Sequence, residues 1–189
     1  VSRLDGEPAF AEIFFDDCQV SAANLLGGEG EGWKVAMATA SSERGLNLRA
    51  PGRFLAAANQ LVNLYKQLVR EKKSIPPELF NKIVEGYTAA QAYRWQVFSK
   101  ASSLMHGETM GAEASYMKIF WSELDVDLHA TALELLAERG ELLASAPDAI
   151  SEHDWMSGYL FSLSGPIYAG TNEIQRNIVA ERVLGLPRK

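Results

Sequence analysis

From Trp33 to Ala144 apolar side chains recur at mixed three- and four-residue spacing, the period of an amphipathic helix, and only a few places interrupt that pattern. Pro51-Gly52 is the first. A proline inside a helix removes a backbone donor and clashes with the preceding turn, so the helix that starts near Trp33 and runs past Leu68 is predicted to kink or break there. Ser74 is the predicted N-cap of a second helix, opened by Pro76-Pro77-Glu78 and running to about Met105. Gly107 ends it. A third helix is predicted from about Thr109 to Ala144, loosened at Gly140, with Ala112, Tyr116, Ile119, Phe120, Leu124, Leu128, Thr131, Leu135 and Leu142 spaced for burial. Residues 145–154 read as a loop, Trp155 to Ser162 as a short helix, and the stretch after Thr171 as a terminal helix. Long helices joined by short connections pack antiparallel, so the expected class is all-α, an up-and-down bundle over residues 30–189.

The first 29 residues follow a different rule. Ala11 to Val20 mixes β-branched and aromatic residues with polar ones and predicts one strand, followed by a turn-prone Ser21 to Asn24. The Gly27 to Gly32 stretch does not match a phosphate-binding fingerprint and reads as a flexible linker. A net charge of −6 argues against a nucleic-acid groove or an anionic membrane as partner. Cys18 is the single cysteine, which excludes an intrachain disulfide and suits a reducing, cytoplasmic setting. His106, His129 and His153 lack metal-ligand spacing and read as surface or cap residues; no metal site is expected.

Two short stretches carry chemistry. In Tyr168-Ala169-Gly170-Thr171-Asn172-Glu173, Thr171 can cap the terminal helix, and the Ala-Gly pair lets a ligand approach the backbone. Ile174, Ile178 and Val179 are the expected buried stripe of that helix, and Gly185 with Pro187 ends it. Taken alone, this is an ordinary capped helix. Glu43-Arg44 on the first helix is, taken alone, a solvated charge pair.

Together the two stretches resemble the flavin-dependent acyl-CoA dehydrogenases, whose C-terminal signature is an aromatic-X-Gly-Thr segment lying over the flavin. The resemblance implies that residues 1–29 end a β-domain and form a hinge, that the strand is a remnant of that domain, and that FAD is the cofactor. It implies an acyl-CoA substrate, whose α,β-bond is desaturated in fatty-acid or sterol side-chain β-oxidation. Electron-transfer flavoprotein would be the redox partner, and the helical domain would build a homo- or hetero-oligomer. In many members X is the glutamate that removes the substrate's α-proton; here X is Ala169. Isovaleryl-type and long-chain-type members place the base on the first helix of this domain, just before an arginine, and Glu43 matches that glutamate. Arg44 then supports the substrate end of the pocket with Tyr168, Ala169 and Gly170, while Gly170, Thr171 and Glu173 face the cofactor.

The resemblance also has departures. Glu173 stands where many members have glutamine, and an ionised glutamate cannot donate a hydrogen bond. Arg70 to Pro76 replaces an Arg-x-x-Phe-Gly segment that contacts the flavin of a neighbouring subunit. Leu133 to Leu143 has no match to the Gln-x-x-Gly-Gly segment that cradles the diphosphate. By itself this chain is therefore expected to hold FAD weakly and to be inactive. The Trp155 to Phe161 run resembles the heteromeric, bulky-substrate branch, which leaves a non-catalytic partner subunit as an alternative, beside an acyl-CoA oxidase.

Overall fold

The computed structural model describes residues 1–46, 50–142, 145–149 and 153–188, with the side chains of 40–46 outside that description. Among the described residues six α-helices carry the fold: α1 Gly32–Leu46, α2 Pro51–Arg70, α3 Pro77–Met105, α4 Ala114–Leu136, α5 Trp155–Ser162 and α6 Asn172–Ile178. Pro51 does more than kink the first helix. It occupies the first turn of α2, where its missing donor costs nothing and its fixed φ suits a helix start. The same logic corrects the start of α3: the cap position is Pro76, not Ser74, and no side chain caps it.

α2, α3 and α4 pack on one another as the up-and-down bundle expected for an all-α chain, with α5 and α6 laid against α4. α2 shows one buried stripe, Phe54, Ala57, Ala58, Leu61, Leu64 and Leu68, at the spacing of a core-facing helix. α4 is different. It is covered around most of its circumference, so Trp121, Leu124, Leu128 and Ala132 are buried together with Lys118, Ser122, Asp125 and His129. A helix with neighbours on every side is the centre of its bundle. Aromatic rings seal the three-helix junction: Phe54 meets Tyr93 edge-on at 5.3 Å and lies 6.1 Å from Trp121.

Three expectations need correction. The third helix ends at Leu136, because Ala137 takes φ 50° and the chain continues as a 3-10 turn over Ala137–Glu141. Tyr116 and Leu142, expected to be buried, are exposed. Residues 11–20 form no strand; among the described residues the β-pairing is a single Ser2–Pro8 bridge. An extended segment needs a neighbour for its backbone groups, and with none beside it Phe14 and Phe15 stay in solvent. No helix among the described residues is long and apolar enough to cross a membrane.

Candidate functional site

The turn that precedes α6 is built from two consecutive left-handed residues, Ala169 at φ 54° and Gly170 at φ 85°. Glycine takes that conformation freely; alanine pays about 1 kcal/mol for it. Such a turn persists only where its surroundings impose it. The buried Gln175 amide reaches back from α6 and donates to the carbonyls of Ala169 at 3.1 Å and Gly170 at 3.2 Å. Thr171 Oγ1 accepts from the Ile174 amide, so Thr171 is the N-cap predicted for it. Tyr168 packs its ring 5.9 Å from Trp121, and the Asn172 amide donates to Pro166 O at 2.9 Å. Five sequential residues, 168–172, are thus tied down while Ala169, Gly170 and Thr171 remain half-buried.

Beneath the turn lies a polar knot. Lys118 is 7% exposed, and its Nζ donates to Asn172 Oδ1 at 2.7 Å. Asn172 Nδ2 donates to Ser122 Oγ at 3.1 Å, and Arg176 closes the outer edge by pairing with Glu123. Lys118, Ser122 and Asn172 are all buried, so the charge of the ammonium is satisfied chiefly by a neutral amide. Burial accordingly pushes the Lys118 ammonium below the usual lysine range, with Glu173 and Glu123 pulling it back up. The Glu173 carboxyl moves the other way: its own backbone N–H and the Thr171 hydroxyl hold it below the usual range.

Sequence reasoning missed Gln175, Lys118 and Asn172. It assigned the buried stripe of the terminal helix to Ile174, Ile178 and Val179, yet Ile174 is 50% exposed and the residues facing inward are Asn172 and Gln175. The polar pair wins because its amides meet turn carbonyls and α4 side chains that an isoleucine could not satisfy. A cue was available: the Asn172-x-x-Gln175 spacing puts both amides on one face. His129 also departs from its surface reading. It is buried against Gly158, and its Nδ1 lies 2.7 Å from the Asp125 carbonyl. His153 is half-buried beside the Trp155 ring, and burial pushes its pKa down. No metal-binding cluster is found among the described residues.

Glu43 and Arg44 lie near the C-terminal end of α1, which touches α4; their side chains fall outside the described residues. Tyr168, Ala169, Gly170 and Thr171 come together in the turn, and Glu173 is exposed at its edge. The segment that the resemblance would place against a cofactor diphosphate, 133–143, meets the segment in the place of the neighbouring subunit's flavin contact, 70–76, around a hollow of about 460 Å³. Lys73 and Arg139 line it, but so do Glu134 and Glu138, and Arg139 lies 4.0 Å from Glu71. The half-open small-residue turn fits the flat ring of a flavin. The hollow, with two carboxylates beside its cations, does not fit a diphosphate dianion.

Comparison with known proteins agrees with this anatomy. The family profile described as "Acyl-CoA dehydrogenase, C-terminal domain" matches residues 30–184. The chain is 35% identical over its whole length to an acyl-CoA dehydrogenase, IpdE1, of Mycolicibacterium smegmatis, and covers 45% of that protein. Across 92% of its length it is 32% identical to an acyl-CoA dehydrogenase of Bacillus subtilis, again covering 45%. The chain thus spans a little under half of these relatives. Among solved structures, the steroid ACAD Tcur3481-Tcur3483 superposes on the whole chain with a TM-score of 0.82 at 19% identity, the chain covering 48% of it. The ChsE4-ChsE5 complex of Mycobacterium tuberculosis superposes on 93% of the chain with a TM-score of 0.76 at 24% identity, with 45% of that chain covered. These last two likenesses concern the fold.

Proposed function

Since the chain belongs to the acyl-CoA dehydrogenase C-terminal domain family, we propose that its full-length protein is a cytoplasmic FAD-dependent acyl-CoA dehydrogenase. It desaturates the α,β-bond of an acyl-CoA from a fatty-acid or sterol side chain. Residues 1–29 are the end of its β-domain and the hinge, and residues 30–189 its helical domain. The observation that carries the reading is the turn before α6. Gln175 ties down the carbonyls of Ala169 and Gly170, the Asn172 N–H bonds Pro166 O, and residue 169, which would face the substrate's α-carbon, has no proton-accepting group.

Glu43, on α1, is the base in this reading, and Arg44 supports the thioester end of the pocket. A carboxylate placed at the α-carbon and shielded from water takes the α-proton. Gly170 and Thr171 back the cofactor ring, with Glu173 at its edge. Bound FAD would accept the β-hydrogen as hydride, and electron-transfer flavoprotein would collect the electrons. This chain fits only the ring portion, so the diphosphate is held by the β-domain or by another subunit. The helical domain assembles the oligomer. The carboxylates in the diphosphate hollow favour a second reading, a partner subunit of a heteromer that leaves chemistry to its neighbour.

Glu43→Gln in the full-length protein with its partners separates the two. It keeps the size of the side chain and removes the proton acceptor, so turnover should fall by on the order of 10² or more with flavin content unchanged. Unchanged turnover would exclude Glu43 as the base and favour the partner-subunit reading.

A further inference from the structure

α4 buries an acid and a lysine, and only the acid meets its opposite charge. Asp125 pairs with Arg53 at 2.6 Å. Lys118 donates to the neutral amide of Asn172 at 2.7 Å, and among the described residues no carboxylate stands within ion-pair distance of it. The two anions that act on it from farther away are Glu173 and Glu123. Both are exposed: Glu123 is paired with Arg176, and Glu173 is held by its own backbone N–H and the Thr171 hydroxyl. Water and salt screen charges placed like these, while a buried ammonium keeps most of its field. Taking an ammonium out of water with no carboxylate to meet it is costly. Such a group beside a candidate site is itself a candidate for function, because its field is left to act on whatever the site holds.

We propose that Lys118, fixed on Asn172 under the Gly170–Thr171 turn, sets the reduction potential of the bound flavin by favouring the reduced ring over the oxidised one. The inference rests on the proposed function, in which Gly170 and Thr171 back that ring. A hydride leaving the substrate's β-carbon carries one proton and two electrons, so a neutral ring that receives it gains one negative charge. A cation held nearby attracts that charge and has no comparable charge to attract before the transfer, which makes its effect differential. It is also preorganised. Asn172 takes the ammonium on its side chain while its backbone N–H bonds Pro166 O at 2.9 Å, and Lys118 itself is 7% exposed, so the charge cannot swing away into water. Glu173, one residue further on, opposes it with the other sign. Its exposure makes that opposition the weaker of the two.

The test is the midpoint potential of the flavin in the full-length protein with its partners, read by reductive titration against a reference dye. Lys118→Met keeps the length of the side chain and removes the charge. It should shift the balance of oxidised and reduced flavin tenfold or more toward the oxidised form, a fall of about 30 mV for a two-electron couple. Glu173→Gln removes a charge of the opposite sign at the surface and should move the potential upward, by a smaller amount. Opposite signs from two changes at one turn are what a field produces; a loosened turn has no reason to give them. A potential unmoved by Lys118→Met, or two shifts of the same sign, would overturn the proposal while leaving the dehydrogenase reading intact. If Lys118→Met does not retain flavin, Glu173→Gln decides, and a fall or no change there overturns it. A parent protein without flavin fails the functional reading itself, and the inference with it.

Discussion

Replacing Lys118 by Met tests the polar knot under the α6 turn. The two side chains have similar length and volume, so packing against α4 is kept while the ammonium is lost. Asn172 Oδ1 then retains only the Ser122 hydroxyl at 3.2 Å. Two terms oppose each other. A hydrogen bond from a charged donor is worth roughly 1.5–3 kcal/mol, whereas removing a buried charge returns part of its desolvation cost. Because Lys118 is tied to a neutral amide rather than to a carboxylate, the returned part is substantial, and the net loss at pH 7 should be about 1 kcal/mol. The pH dependence is the sharper readout. Burial depresses the folded pKa of Lys118, so between that pKa and the ordinary lysine value the unfolded chain binds more protons than the folded one. Stability of the parent protein therefore gains a favourable contribution as pH rises through that window, and the Met variant lacks it. Urea titrations of both proteins, followed by tryptophan fluorescence, should show the gap between them widening from pH 7 to pH 10. A gap that is constant or narrows with pH would refute the argument that Lys118 is charged and poorly compensated in the folded state.

Gln175→Leu strips the ties from the Ala169 and Gly170 carbonyls and should cost about 2 kcal/mol, with faster amide hydrogen exchange in residues 169–172. Unchanged exchange would mean the turn holds itself. Gly158→Ala gains nearly 1 kcal/mol of helix propensity but places a Cβ 2.5 Å from His129 Cδ2 and Nε2. Overpacking a buried ring costs roughly 1–3 kcal/mol, so the melting temperature should fall rather than rise.

The helices were legible where the chain marks their ends itself. Pro51 and Pro77 stand in the first turns of α2 and α3, and the eight-residue α5 begins and ends where its apolar run does. Such marks act through the local backbone, which sequence exposes directly. What lies inward on α4 was not legible. Lys118 is buried by a partner 54 positions away and Asp125 by Arg53, 72 positions away, at 2.6 Å. Apolar periodicity counts such residues as solvent-facing, because the pairing that satisfies them exists only once distant helices have met. The N-terminal stretch failed for a related reason. Phe14, Phe15 and Val20 have strand propensity, but propensity describes a fit to a sheet surface, and no sheet is present among the described residues to supply one. In the site itself, the cap at Thr171 could be read from one residue type, while the grip of Gln175 on the turn required knowing that Ala169 turns left-handed.

In the proposed site, Glu43 and residue 169 face the same α-carbon of an acyl-CoA thioester. Exchange of the α-proton of a bound acyl-CoA with deuterated water, followed by mass spectrometry in the full-length protein, reads that step apart from redox turnover. Glu43→Gln should slow exchange by on the order of 10². The double variant Glu43→Gln/Ala169→Glu should recover much of the loss, because a carboxylate on the pinned turn reaches the same carbon. Exchange that survives Glu43→Gln, or a double variant no faster than the single, would contradict the account.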